Sequence, residues 1–226
     1  MAKMKRILLM VVTAVMTTSA LAQIPDKVKE VMRKSDEKMA SYNTAAGTVI
    51  EGTVKMKVSI ISFNGPLKMY AKNKKFFATL SMNAMKEIGI NVDVGFDGEQ
   101  KWEYRTVTGD ESKKKDTLRI TKTRDAKNTF GPKTHYDKDY KKATMKEVGR
   151  YYEITFSGPL KKGTPKKSSI KIDKENYLVR EYSVDENVGP YTAKMTVTLT
   201  KITKGCSDNW LKLDMNRYKN AVVVRK

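Results

Sequence analysis

Beyond residue 47 this chain alternates apolar and polar residues with a period of two, and that pattern restricts it to a mainly β fold. Val54, Met56, Val58 and Ile60 alternate with Lys55, Lys57 and Ser59. Leu67, Met69 and Ala71 continue it, and Ile88, Ile90, Val92, Val94 and Phe96 alternate with Gly89, Asn91, Asp93 and Gly95. Ala193, Met195, Val197 and Leu199 stand against Lys194, Thr196, Thr198 and Thr200. Period two is the mark of a strand with one buried face. Asn64-Gly65 and Asp97-Gly98 each fall between two such stretches, the strongest short-range hairpin signal. Further strands are expected at Phe76–Met82, Lys101–Arg105, Thr117–Lys122, Met145–Glu147, Tyr151–Phe156, Ser168–Ile172 and Tyr177–Val184. A last short extended piece is expected at Trp210–Met215, and Asp125–Ala143 reads as a long irregular segment. About ten or eleven strands joined by tight turns predict a large antiparallel meander.

Such a sheet needs cover for its apolar face. One helix is expected, from Asp26 to Tyr42, with Val28, Val31, Met32, Met39 and Tyr42 along one stripe, Ser35 filling the gap, and charges opposite. One helix covers few strands. The expected architecture is therefore an incomplete antiparallel β-barrel, a curved meander with a helical lid over a hydrophobic cavity. The plain alternative is a filled sandwich.

The first residues carry an address. Lys3, Lys5 and Arg6 precede an apolar stretch from Ile7 to Val15, and Ala20-Leu21-Ala22 fits the small-x-small rule of signal peptidase. A cleavable signal peptide over 1–22 is expected, with a single domain over 23–226 in the periplasm. The formal charge is +20, from 45 Lys+Arg against 25 Asp+Glu, and removing the three leader cations leaves +17. In an exported chain such charge points to anionic lipids, glycans or acidic proteins and away from nucleic acid. Most lysines alternate with apolar residues, the pattern of a solvated sheet face. Lys161, Lys162, Lys166 and Lys167 cluster around Gly158, Pro159, Gly163 and Pro165 as a candidate membrane or partner contact, with a merely solvated loop as the alternative. One Cys, Cys206, and one His, His135, allow neither an internal disulfide nor a His/Cys zinc set, and no cofactor or metal is expected.

Several segments carry a family resemblance. They run from Gly47-Thr48-Val49 through Gly65–Tyr70, Lys74-Lys75-Phe76-Phe77 and Phe96–Tyr104 with its Asp-Gly turn and Trp-x-Tyr strand. They end with Ile170-Lys171-Ile172-Asp173, Tyr177-Leu178-Val179 and the tail Trp210–Asp214. In this order they resemble the periplasmic outer-membrane lipoprotein carriers, LolA-like proteins. The resemblance implies an incomplete barrel under a helical lid. It also implies carriage of lipoprotein acyl chains from an inner-membrane transporter to an outer-membrane acceptor, without reaction chemistry or a cofactor; a monomer is expected. The family's Arg-Pro after the second strand, whose arginine latches the lid, is missing from Ala71–Phe77. Ser81–Ile88 also lengthens the hairpin before Asp97, so a divergent branch with a different lipid-like cargo is open.

The expected lipid-binding residues are Met32, Met39, Met56, Val58, Ile60, Met69, Phe77, Val92, Val94, Phe96, Trp102, Tyr104, Phe156 and Met195, Met being an adaptable lining residue. An envelope sensing or interaction module on the same scaffold is the alternative function. No catalytic residue is expected: Asp93, Asp97 and Glu99 sit at a hairpin turn, where carboxylates serve turn geometry.

Overall fold

The computed structural model describes residues 24–42, 45–84, 88–109, 116–123, 139–162, 164–188 and 191–226. The expected signal peptide, His135 and most of the segment 125–143 lie outside them. Helix α1 (Asp26–Ala40) is followed by β1 (Thr48–Val58), β2 (Ile61–Lys72), β3 (Lys75–Ala84), β4 (Ile88–Phe96), β5 (Gln100–Thr108) and β6 (Thr117–Lys122). Then come β7 (Tyr140–Val148), β8 (Tyr151–Pro159), β9 (Lys167–Asp173), β10 (Val179–Val188) and β11 (Tyr191–Lys204). The tail forms two 3₁₀ turns, Asp208–Leu211 and Met215–Tyr218, and ends in β12 (Val222–Arg225).

All 12 strands join one sheet in the order β12-β6-β5-β4-β3-β2-β1-β11-β10-β9-β8-β7. Two meanders, β1–β6 and β7–β11, meet where β1 pairs antiparallel with β11, and the sheet is curved and open. The mainly β class and the incomplete barrel with a helix therefore hold. Every neighbouring pair of strands is antiparallel except β12 and β6.

Helix α1 buries Val28, Val31, Met32 and Ser35, one stripe at helical spacing. Its outer face is laced by Arg33–Glu37 at 2.6 Å and Lys34–Glu30 at 2.8 Å. Asp26 in its first turn and Lys38 in its last complement the helix dipole. The helix packs on β7–β10, against Ile154, Phe156, Ile170, Ile172 and Val179. The tail builds a second core from Leu211 and Tyr218 against Tyr70, Phe77, Trp102, Leu118 and Ile120.

These two cores lie on opposite faces of the sheet. Cross-strand partners share a face. Starting under α1, the pairs Ile170↔Tyr182, Tyr182↔Val197 and Val197↔Val54 carry the helix face across to β1. From β1 it continues through Met56↔Phe63, Ile50↔Met69, Met69↔Ala78 and Ala78↔Val94. Tyr70 and Phe77 pair with each other one residue out of that phase, so they face the other way, as do Trp102 and Ile120.

Two local expectations are corrected. Asn64-Gly65 does not turn the chain: Val58 pairs with Ile61, so Ser59-Ile60 is the turn, with Ser59 at φ 53. Gly65 lies inside β2, where a Cβ would stand 1.6 Å from the Ser81 carbonyl oxygen, so its lack of a side chain lets β3 approach. The tail expected to be extended forms 3₁₀ turns capped by Ser207 and Asp214, whose side chains accept from Asn209 N–H and Asn216 N–H. Asp97-Gly98 does turn the chain, Asp97 Oδ1 accepting from the N–H groups of Glu99 and Gln100 at 3.0 and 2.9 Å.

Candidate functional site

The helix face extends well beyond the helix. Across β11 from Ala193 to Leu199 and across β1, β2, β3 and β4, the in-phase positions carry Ala, Val, Ile, Leu, Met, Phe, Gly and a single Thr, without one charged side chain. The same strands present Lys55, Lys57, Lys68, Asn83 and Asp93 on the opposite face. Neither buried core includes Met56, Val58, Phe63, Leu67, Met69, Leu80, Val92, Val94 or Met195, and each is only partly buried. Ile50, Val54, Met82 and Phe96 are deeply buried within the same stretch. The result is an uncharged apolar floor five strands wide beside the docked helix.

The floor has two borders. On the β10 side it runs into the core beneath α1. On the β5 side, Lys101, Glu103 and Arg105 pair with Phe96, Val94 and Val92 and so occupy the same face. Among the described residues, no ion pair ties Arg105 or Arg119, which stands opposite Glu103 on β6.

The helix is fastened at one end. Glu147 of β7 accepts from Lys27 Nζ at 2.8 Å and lies 3.0 Å from Lys174 Nζ. The Lys27 hydrogen bond first, and then Lys174, holds the Glu147 carboxyl at about 2. At the β9–β10 turn, Asp173 is fully buried. Burial alone raises its carboxyl, but Arg150 and the N–H groups of Glu175 and Asn176 outweigh it and keep Asp173 below its ordinary value.

The expected lipid-binding residues fall into three places. Met56, Val58, Met69, Val92, Val94, Phe96 and Met195 share the uncharged floor. Met32 and Phe156 lie in the core beneath α1, with Met39 packed against it. Phe77 and Trp102 are buried on the opposite face beneath the tail, with Tyr104 packed against them. Trp102 lies over Gly95, where a Cβ would come within 2.1 Å of the ring, so the glycine makes room for the indole. Ile60 stands outside all three, 91% exposed at the β1–β2 turn. Phe63, Leu67, Leu80, Ile90, Val197 and Leu199 belong to the floor and were not among the expected residues. Strict parity from the Ser59-Ile60 turn finds them.

Lys161, Lys162 and Lys166 are exposed in the β8–β9 loop and Lys167 is exposed at the start of β9, and Lys161 pairs with Asp139 at 3.0 Å. A separate small pocket of about 190 Å³ lies at the β2–β3 turn, lined by Lys72, Asn73, Lys75, Asp208, Leu211 and Lys212. Lys72 and Asp208 pair there at 2.9 Å. Cys206 is half-buried beside the tail core, and burial raises its thiol, which suits packing rather than reactivity. Among the described residues no cluster of His, Cys, Asp and Glu is suited to a metal ion, and no helix is long and apolar enough to cross a membrane.

No family model and no curated protein matches the chain. Solved structures do. An uncharacterized conserved protein from Thermus thermophilus is 12% identical over 88% of this chain and 99% of that one, with a TM-score of 0.47. A DUF1329 family protein from Desulfovibrio piger is 10% identical over 84% and 98%, with a TM-score of 0.41. A LolA superfamily protein from Nitrosomonas europaea is 8% identical over 82% and 97%, with a TM-score of 0.32. A LolA-like protein thus stands among the structures to which this chain is similar.

Proposed function

We propose that this chain is an exported carrier that binds the acyl chains of lipoproteins, or of another lipid, along the uncharged floor beside α1. The observation that carries this reading is the absence of any charged side chain on that face from the Ala193–Leu199 stretch of β11 across β1, β2 and β3 to β4. An acyl chain of about 16 carbons gains on the order of 12 kcal/mol gross when its methylenes leave water. A floor of half-buried Met56, Met69 and Met195 with branched aliphatic neighbours adapts to such a chain without fixed polar contacts.

In this reading the leader over 1–22 is removed and the domain over 23–226 works as a periplasmic monomer. It receives its cargo from an inner-membrane transporter and gives it up to an outer-membrane acceptor. It catalyses no reaction. Lipid mass spectrometry of protein purified from its native envelope, together with titration of a neutral phenylnaphthylamine probe, tests the proposal. Co-purified acylated species and saturable probe binding are expected. Protein free of lipid that also fails to bind the probe would end it.

A further inference from the structure

The apolar floor runs out to one end of the sheet, and that end is unusual. The last residues of β1, β3, β5 and β8 and the first residues of β2, β4, β6 and β9 all lie there, because each of these strands pairs antiparallel with the next. Exposed large apolar side chains mark each of these pairs of strand ends: Ile60 and Ile61 (91% and 37% exposed), Ile88, Val107 and Leu160. Ile60 occupies a turn position where a polar residue or glycine is the ordinary choice. Ile61, Ile88 and Val107 are in phase with the floor, through Val58↔Ile61, Ala84↔Ile88 and Ile90↔Val107, so the floor reaches this end without a polar border.

The same end is cationic. Lys161, Lys162, Lys166 and Lys167 flank Leu160. Lys57 and Lys194 face each other across the β1–β11 pair one residue from the turn, where like charges repel. Among the residues whose side chains are described, Asp139 pairs with Lys161 at 3.0 Å and Asp185 stands opposite both Lys194 and Lys167. From β6 to β8 the row of strand ends spans nine strand spacings, roughly 43 Å. A row of separated apolar tips among lysines that, in the described residues, outnumber their carboxylate neighbours matches the anionic headgroup layer of a bilayer, with apolar side chains reaching the acyl boundary and ammonium groups meeting lipid phosphates.

We infer that this end of the sheet is a membrane-docking edge for anionic phospholipid, and that acyl chains enter and leave the floor through it. The entry route rests on the carrier reading; the docking itself does not. Flotation of the purified protein with vesicles of phosphatidylethanolamine and phosphatidylglycerol, against vesicles of phosphatidylcholine, tests it. The protein floats with the anionic vesicles at low salt and not with the neutral ones. Ile60→Asp lowers the floated fraction about tenfold, the order of effect of withholding one Ile side chain from the bilayer. Phenylnaphthylamine binding in vesicle-free solution stays unchanged. Leu160→Asp repeats the test at a second tip should the first variant fold poorly. A wild type that ignores anionic vesicles, or variants that float like it, would overturn the docking edge and leave probe binding to decide the carrier reading. Ile60-dependent flotation without any probe binding would keep the edge and remove the carrier.

Discussion

Phe76 and Phe77 are consecutive residues whose rings serve opposite faces of β3. Phe76 lies 6.4 Å from Phe96 on the uncharged floor. Phe77 lies 6.4 Å from Trp102 and 6.0 Å from Tyr70, beneath the tail. The same strand therefore holds a finished core on one side and an unfinished apolar surface on the other. Stability and the proposed lipid binding become separable by residue.

Phe77→Ala opens a cavity in the tail core and is expected to cost about 3–5 kcal/mol. Probe affinity per folded molecule should be unchanged. Val94→Glu places a charge on the half-exposed floor. It should cost about 1 kcal/mol through lost strand propensity while probe affinity falls at least about tenfold. Urea unfolding followed by probe titration checks both. Equal losses of stability and affinity in the two variants would mean that the faces are not independent.

The Glu147 bridge to Lys27 and Lys174 gives a pH dependence of defined sign. Its folded carboxyl sits at about 2 against an ordinary value of 4.5. The depressed value makes the contribution complete above about 4.5, and it fades as pH falls toward 2. The melting temperature of Glu147→Gln should therefore lie slightly below wild type at neutral pH and converge with it in that acid window. The difference should also shrink at about 0.5 M salt, because the pair is solvent-exposed. A difference that persists unchanged to the acid limit would assign the effect to something other than this bridge.

Gly65→Ala tests why β2 carries a turn-like dipeptide without turning. The new methyl group meets a backbone carbonyl, which has no rotamer to yield. A loss of about 3 kcal/mol is expected, with faster hydrogen exchange confined to β2 and β3. An unchanged unfolding midpoint would show that the two strands part without cost.

This dipeptide also marks where sequence reading reaches its limit. Helix α1 was legible because Val28, Val31, Met32 and Ser35 hold helical spacing through a charged segment, although the helix stops at Ala40, short of Tyr42. The strands were legible because Lys and Thr alternate cleanly with Val, Ile and Met. Asn64-Gly65 has the chemistry of a tight turn, but its glycine serves close approach, and only register reveals that. Sequence alone does not separate Phe77, Trp102 and Tyr104 from the floor, because β3 carries large apolar residues in both phases and the aromatic phase of β5 is the one that faces away from the floor. Which phase is a core depends on the tail, more than 100 residues away in sequence. The parallel pairing of Val222–Arg225 with β6 is likewise a long-range contact without a local signal.

The tail is fastened to its face by a stack, and this is open to test. Trp210 lies 4.6 Å from Tyr70 at 8° between planes, and the Arg217 guanidinium sits 4.5 Å from the Trp210 ring and 5.2 Å from Phe77. Trp210 itself is 38% exposed, so its contribution comes from stacking more than from burial. Tyr218 adds a donated hydrogen bond to Asp93 Oδ2 at 3.1 Å. Trp210→Ala should cost about 2 kcal/mol, the combined worth of an aromatic pair and a cation–π contact. Arg217→Lys should cost less, since an ammonium keeps the charge but loses the flat guanidinium surface. In both variants hydrogen exchange should rise at Leu118 and Ile120, which the tail buries, while Ile154 and Ile170 beneath α1 stay protected. Because the tail and the floor occupy opposite faces, probe affinity should not move. Loss of affinity in Trp210→Ala at full folding would instead place the tail in the lipid site.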